Sequence, residues 1–507
     1  MKKGLCLLVF LALFMTILFA SCNQKKQPGG ELDIIPTEPS EGLEFESNGD
    51  GTCALIGIGT CTDTYIVIPE TSPNGDMLTT IGYNAFLDCD YITGVTIPKG
   101  VTCIEQYAFS GCTGISNIHF PASVEMISCP VTDGCSNLVS ITVEEGNNCY
   151  YSENNCLIRK DVDEYSNNEL YTLIAGCQTS IIPEEIEVIG ELAFAGCTGL
   201  TKIIIPEGVN TIQLGAFAYT SLISVIIPNS VTEIGDAVFA GCANLERIEL
   251  PGSIKSIGAN AFAGCTSLID GMIPEGVETL GYGVYSGCIS LQSVLISNSV
   301  SSIGDLLVEG CYSLTSIIVS DDNKTYHSVG NCIVETKSKM LIAGCNTSSI
   351  PADGSVTTIV GVAFADCPGL TSIIIPDSVT NICLGAFHGC TGLTSIKVDP
   401  DNKMYYSIDN CVIETESGAL ILGCKNSIIP NSVTSIANFA FADCTELASI
   451  IIPNSVSSIS EYAFTGCIAL TDVYYTGTEE DWRAISIDSD NELLQNATIH
   501  YNYIPEE

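Results

Sequence analysis

Apolar and polar positions along this chain follow one 23-residue pattern, repeated over almost everything between Pro69 and Tyr475. As a template it reads P-x-x-V-x-x-I-G-x-x-A-F-x-G-C-x-x-L-x-x-I-x-I, clearest from Pro228 to Leu250, and a fixed period of this length marks a stacked repeat. No single periodicity holds across the unit, so it contains more than one kind of element. The closing L-x-x-I-x-I alternates as a short strand, with Leu245, Ile248 and Leu250 on one side and Arg247 and Glu249 on the other. Proline at 228, 251 or 453 lacks the ladder donor and turns the chain. V-x-x-I-G then predicts a second extended piece, closed by Gly235 or Gly258, and A-F-x-G-C predicts a short helical turn around pairs such as Ala261-Phe262.

A unit this small cannot cover its own apolar residues, so neighbours must stack and bury them jointly, about 4.8 Å apart where strands pair. The expected fold is a repeat solenoid of short β-strands and short helical turns, capped at both ends. Counted from the turn position, units begin at 69, 98, 121, 144, 183, 206, 228, 251, 274, 297, 320, 351, 376, 399, 430 and 453. Three are long: 144–182, 320–350 and 399–429. They share a second pattern, Tyr151-Ser152-x-x-Asn155-Cys156, Tyr326-His327-Ser328-x-x-Asn331-Cys332 and Tyr406-Ser407-x-x-Asn410-Cys411, each followed by a Leu-Ile-x-Gly-Cys string. Their alternating ends predict hairpins, which serve either as a ligand-binding relief or as a second packing variant.

These strings, AFxGC and I-I-P-x-S-V-T-x-I-G above all, resemble the BspA-like leucine-rich repeat family of bacterial surface proteins, from about Leu43 to Tyr503. The resemblance implies a right-handed leucine-rich-repeat superhelix, exported to the envelope and associated with adhesion to host proteins.

Flanking the solenoid, Met1-Lys2-Lys3, the apolar run Leu5 to Phe19 and Ala20-Ser21-Cys22 read as a lipoprotein signal peptide over 1–21, with lipid attachment at Cys22. Phe19 stands where the usual lipobox has leucine, which leaves plain secretion or retention as an anchor open. No second spanning run follows, so a lipid is the expected membrane attachment. Residues 22–42 read as a flexible tether. Residues 43–68 predict a β-hairpin cap around Asn48-Gly49-Asp50-Gly51, where turn chemistry competes with calcium binding. Residues 476–507 predict a C-terminal cap, with a helix start at Thr476 or Thr478 and the single tryptophan, Trp482, as its apolar plug.

Charge narrows the partners. With residues 1–21 removed, 15 Lys+Arg remain against 59 Asp+Glu, a formal charge of −44, so nucleic acid and other polyanions are poor partners and cations and basic protein patches better ones. Twelve cysteines, from Cys89 to Cys467, occupy one template position and predict a ladder of buried thiols. Cys53 with Cys61, Cys156 with Cys177, Cys332 with Cys345, and Cys411 with Cys424 recur as local couples and are the disulfide candidates. No C-x-x-C pair supports a metal, and no cofactor motif occurs. The four histidines, His119, His327, His388 and His500, lie in different units or the cap; His388, two residues before Cys390, holds a place filled elsewhere by Ala195, Ser110 or Glu309, so no enzyme is expected.

The strongest candidate site is the solvent side of the L-x-x-I-x-I strands. One stripe runs through Ile204, Ile226, Glu249, Met272, Leu295, Ile318, Ile374, Lys397 and Ile451 to Tyr474, with Lys202, Arg247 and Asp270 on the stripe beside it. It is mostly apolar although it faces water, which marks a partner-binding surface unless β-propensity alone selects those residues. The expected function is a non-enzymatic, lipid-anchored envelope scaffold, an adhesin for host or matrix proteins; the alternative is a structural or self-associating envelope protein.

Overall fold

A computed structural model describes residues 36–162 and 169–505. The signal peptide, Cys22 and most of the tether lie outside the described residues. Ser40, placed in the tether by the sequence, is buried: its N–H donates to Val67 O at 2.8 Å and its hydroxyl accepts from Val67 N–H.

Most short units make three hydrogen-bonded sides. The L-x-x-I-x-I strands pair in parallel, as Ser224–Ile226 does with Arg247–Glu249. The two-residue strands after the proline turn form a second parallel ladder, Thr211–Ile212 to Glu233–Ile234 to Ser256–Ile257. The third side is a turn whose backbone bonds to the next unit, as Phe239 N–H does to Ala261 O and Gly241 N–H to Ala263 O. That turn is not helical. Its bonds are i to i+3, as Cys242 N–H to Phe239 O, and Ala237 and Gly241 at φ 54° and 70° break any helical run. The α-helices among the described residues, Glu479–Ala484 and Glu492–Asn496, are in the C-terminal cap.

The long repeats are hairpins of a particular kind. In 144–182 the strands Tyr150–Glu153, Cys156–Val162 and Glu169–Ala175 run antiparallel, and the last pairs in parallel with Val188–Ile189. The other two repeat this with Tyr326–Val329, Cys332–Glu335 and Met340–Ala343, and with Tyr405–Ile408, Cys411–Glu414 and Ala419–Leu422. The first turn of each is left-handed at two residues: Asn154-Asn155, Gly330-Asn331 and Asp409-Asn410.

The middle strands are continuously apolar, Cys-Leu-Ile, Cys-Ile-Val and Cys-Val-Ile, as expected of strands covered on both faces. Cys156 and Ile158 pack with the residues that follow, while Leu157 packs with those that precede. Ile333 likewise faces back and Cys332 and Val334 forward; Val412 faces back and Cys411 and Ile413 forward. Each long repeat is therefore a two-sided wall, and three walls divide the interior into four main packed blocks. The second parallel sheet breaks into four pieces at the same places. So does the aromatic stack: Phe86–Phe109, then Phe194 through Phe217, Phe239 and Phe262 to Tyr285, then Phe364–Phe387, then Phe441–Phe464, with neighbouring centroids 4.9 to 5.8 Å apart.

One clamp serves all three walls. The amide of Asn147, Asn323 or Asn402 donates to two carbonyls of the preceding turn, such as Pro376 O and Val379 O, and its oxygen accepts two N–H groups of its own strand entry. Three residues later Tyr150, Tyr326 or Tyr405 offers its hydroxyl to the N–H of Ile127, Ile303 or Ile382, the last strand of the preceding sheet piece. Donors that lost their ladder partner are thus satisfied inside the protein. Beyond each wall the first phenylalanine ring of the next block lies on a glycine: a Cβ on Gly176, Gly344 or Gly423 would come within 2.0 to 2.2 Å of Phe194, Phe364 or Phe441.

At the ends, Glu44–Ser47 pairs antiparallel with Thr52–Gly57. Thr478 forms a capping box with Asp481, and Trp482 packs edge-on against Tyr475 at 5.2 Å. Because the ring of Phe364 has no flexible end to withdraw, Gly344→Ala is expected to cost about 1–3 kcal/mol through overpacking. Chemical denaturation of the variant checks this; a midpoint equal to the parent's would contradict the close packing.

Candidate functional site

The strand stripe is exposed as its residue pattern requires. Ile204 is 82% exposed, Ile226 and Met272 67%, Ile374 59%, Ile318 50% and Leu295 38%, while the alternate residues Val225, Val294, Ile317 and Ile373 are buried. Arg247, Glu249 and Lys397 are exposed and Ile451 is half-buried. Pairing sets Met272, Leu295 and Ile318 side by side on adjacent strands, and likewise Ile226 with Glu249, Ile374 with Lys397, and Ile451 with Tyr474. Tyr474 then stacks on His500 at 4.7 Å, so the stripe ends in an aromatic pair whose histidine bonds Asp472 at 2.7 Å.

It is not one continuous ladder. Arg247–Glu249 and Asp270–Met272 belong to different sheet pieces, so the polar interruption is also a break in pairing. Lys202 to Ile205 lies outside any strand ladder, and Ile204, the most exposed of the set, sits there. Two members escaped the sequence pattern. Ile181 and Ile428 are 66% and 57% exposed and precede Pro183 and Pro430 by two residues, as Ile204 precedes Pro206. Both lie in long repeats that lack L-x-x-I-x-I, and counting back from the proline would have found them.

Cysteine chemistry is quiet. All 24 cysteines among the described residues are free. The ladder thiols donate to the aromatic carbonyl one unit back, Cys112 to Phe86 O at 3.0 Å, Cys265 to Phe239 O at 3.2 Å and Cys311 to Tyr285 O at 3.1 Å. Burial pushes the Cys242 thiol up to about 11 and Cys288 to about 12, so little thiolate is present at neutral pH. The expected disulfide couples are not joined. Cys332 and Cys345 belong to opposite faces of their wall, as do Cys411 and Cys424, and Cys156 and Cys177. The hydroxyl of Ser348, Ser427 or Ser180 touches the second thiol of each couple, and its own hydrogen bond runs to a carbonyl of the hairpin turn. Cys53 and Cys61 are likewise separate, with Cys53 Sγ donating to Asp76 O.

In the first hairpin, Thr52 takes the Asp50 carboxylate through its N–H and hydroxyl, which holds that carboxyl below its ordinary value. No cluster of metal-ligating side chains occurs among the described residues, and none of their helices is long and apolar enough to cross a membrane. His388 pairs with Asp443 at 2.9 Å rather than with Cys390, whose thiol donates to Phe364 O.

With this geometry in hand, comparison with known families is decisive. The model of the BspA-type leucine-rich repeat region, six copies, matches residues 61–172, 164–270, 210–332, 334–417 and 421–488. This chain belongs to the BspA-type leucine-rich repeat family. Among solved structures it is similar to a leucine-rich cell surface protein of Faecalibacterium prausnitzii, at 24% identity over 90% of this chain and 98% of that one, with a TM-score of 0.44. A leucine-rich repeat protein of Bacteroides ovatus is 21% identical over 92% and 99%, at 0.29. The pneumococcal vaccine antigen PcpA is 15% identical over 92% and 88%, at 0.35. No curated protein matches the chain.

The thiol ladder gives a direct check. In the folded protein at pH 8 a disulfide thiol reagent should leave the buried ladder cysteines unreacted, and all should react in denaturant. Rapid stoichiometric reaction of the native ladder would contradict its burial.

Proposed function

We propose that this BspA-type repeat protein is a non-enzymatic scaffold of the bacterial cell surface that binds proteins on its strand face, acting as an adhesin for host or extracellular-matrix proteins. The observation that carries the reading is the apolar stripe: Ile226, Met272, Leu295, Ile318 and Ile374 are 38–67% exposed while the residues that alternate with them along the strands are buried. A run of exposed apolar side chains is costly to leave in water and is characteristic of an interaction surface. The formal charge of −44 on the chain from Cys22 onward favours partners with basic patches and opposes polyanions. Export through the N-terminal signal and lipid attachment at Cys22 would hold the scaffold at the membrane while the tether carries it away from the surface.

The test is binding of the purified chain from Cys22 onward to a panel of matrix and plasma proteins, beside a folded variant with Ile204, Ile226, Leu295 and Ile318 changed to Ser. Loss of a central apolar cluster should weaken binding by about 30-fold or more, the scale of an interface hot spot. Binding unchanged in the variant would remove the stripe from the account. No binding by either, together with a salt-insensitive oligomer of the parent, would replace adhesion by self-association.

A further inference from the structure

Where the first wall interrupts the second parallel sheet, the sheet parts and leaves a cavity of about 340 Å³. Met126–Ile127 is the last strand before that wall, and the hydroxyl of Tyr150 accepts its Ile127 N–H at 2.7 Å where a next strand would have paired. The returning strand of the wall, Glu169–Ala175, pairs onward with Val188–Ile189 instead. The cavity is lined from both edges. Met126, Ile127 and Ile174 supply its apolar part, Arg159 and Glu191 its two charges, and Ser128, Thr172 and Gln213 its neutral hydrogen-bonding groups.

The corresponding place at the third wall is filled. There Leu384 stands where the first wall has Cys129, and with Phe387 and Phe439 it leaves about 20 Å³, room for one water molecule. The charge differs as well. The residue paired with the clamp tyrosine is Arg159 at the first wall but Glu335 and Glu414 at the others. Thr172, which begins the onward parallel pairing, has Met340 and Ala419 as its counterparts. The first wall alone thus combines a basic and an acidic side chain with a hydroxyl in this setting.

We propose that this cavity binds a free amino acid with an apolar side chain, its carboxylate against Arg159, its ammonium against Glu191 and its side chain against Met126, Ile127 and Ile174.

Each part of such a ligand has its counterpart in the lining. Arg159 Nε donates to Asp161 at 2.6 Å, and a guanidinium held through Nε still carries two Nη groups, the fork that suits a carboxylate. Burial raises Glu191 above its ordinary value, and an ammonium beside it favours its charged form. The formal charge of −44 from Cys22 onward opposes a plain anion, whereas a zwitterion carries no net charge. Volume agrees: about 340 Å³ is at the small end of cavities that hold ligands, where mostly apolar surface and a few convergent polar groups are the rule. The cavity opens beside the second parallel sheet and shares no residue with the strand stripe, so the two sites stand or fall separately.

Isothermal titration calorimetry of the chain from Cys22 onward with L-leucine, L-methionine and L-phenylalanine tests this. The best binder of the three is then compared with its amide, which lacks the carboxylate, and its N-acetyl derivative, which lacks the ammonium. Each derivative should bind about 10-fold more weakly or worse, the worth of one charge-assisted hydrogen bond. Arg159→Gln should weaken the amino acid by a similar factor and leave its amide unchanged, and Glu191→Gln should weaken the amino acid and leave its N-acetyl derivative unchanged. The derivatives need no variant, so the parent chain alone can decide the matter. No heat from any of the three at millimolar concentration, derivatives that bind as well as the amino acid, or binding that survives both substitutions would overturn the proposal.

Discussion

Burial in this protein is lent by neighbours. A 23-residue unit contributes one three- or four-residue strand, one two-residue strand and a turn, none of which can cover an apolar side chain without the units before and after. The covering is total where the register is unbroken: Phe239 and Phe262 are 0% exposed between stacked rings, and Cys242 and Cys265 donate to carbonyls one unit back. Everything else follows from keeping neighbours in register, including proline to end one strand, left-handed residues to turn the corner, and small residues where turns approach.

The long repeats interrupt that register and compensate for doing so. A strand covered on both faces separates two interiors while belonging to both, so its residues are apolar without alternation. The asparagine and tyrosine of each clamp take up the backbone groups that the interrupted ladder would have left bare, and unpaired buried donors and acceptors are the dearest error a core can contain. At the turn place that holds Ala, Ser or Thr inside the blocks, as at Ala240, Ser286 and Thr465, the units before the walls carry Asp133, Glu309 and His388.

Much of this was legible in the residues. The period, the proline turns, the hairpins of the long repeats, a cap helix starting at Thr476 or Thr478 and the exposed stripe all follow from local chemistry that tertiary context reinforces. What was not legible depends on which face a residue chooses. Cys332 and Cys345 are close in sequence, yet the two-residue period of strands sends them to opposite sides of a wall. The turn after Gly235 has helical composition, but Ala237 takes a left-handed conformation that propensity does not favour, because the bonds to the next unit hold it there. Ile181 and Ile428 were hidden because their units lack the leucine from which the stripe was counted. The wall itself could have been inferred: three unbroken apolar residues in a strand are a signal of burial on both sides.

Pulling the chain from its two ends in a single-molecule force experiment tests the division into blocks most directly. The expected record is a small number of large extensions, each releasing on the order of 100 residues at roughly 3.3–3.6 Å apiece, with boundaries in 144–182, 320–350 and 399–429. A sawtooth of many equal steps, each the length of one 23-residue unit and indifferent to the walls, would contradict it.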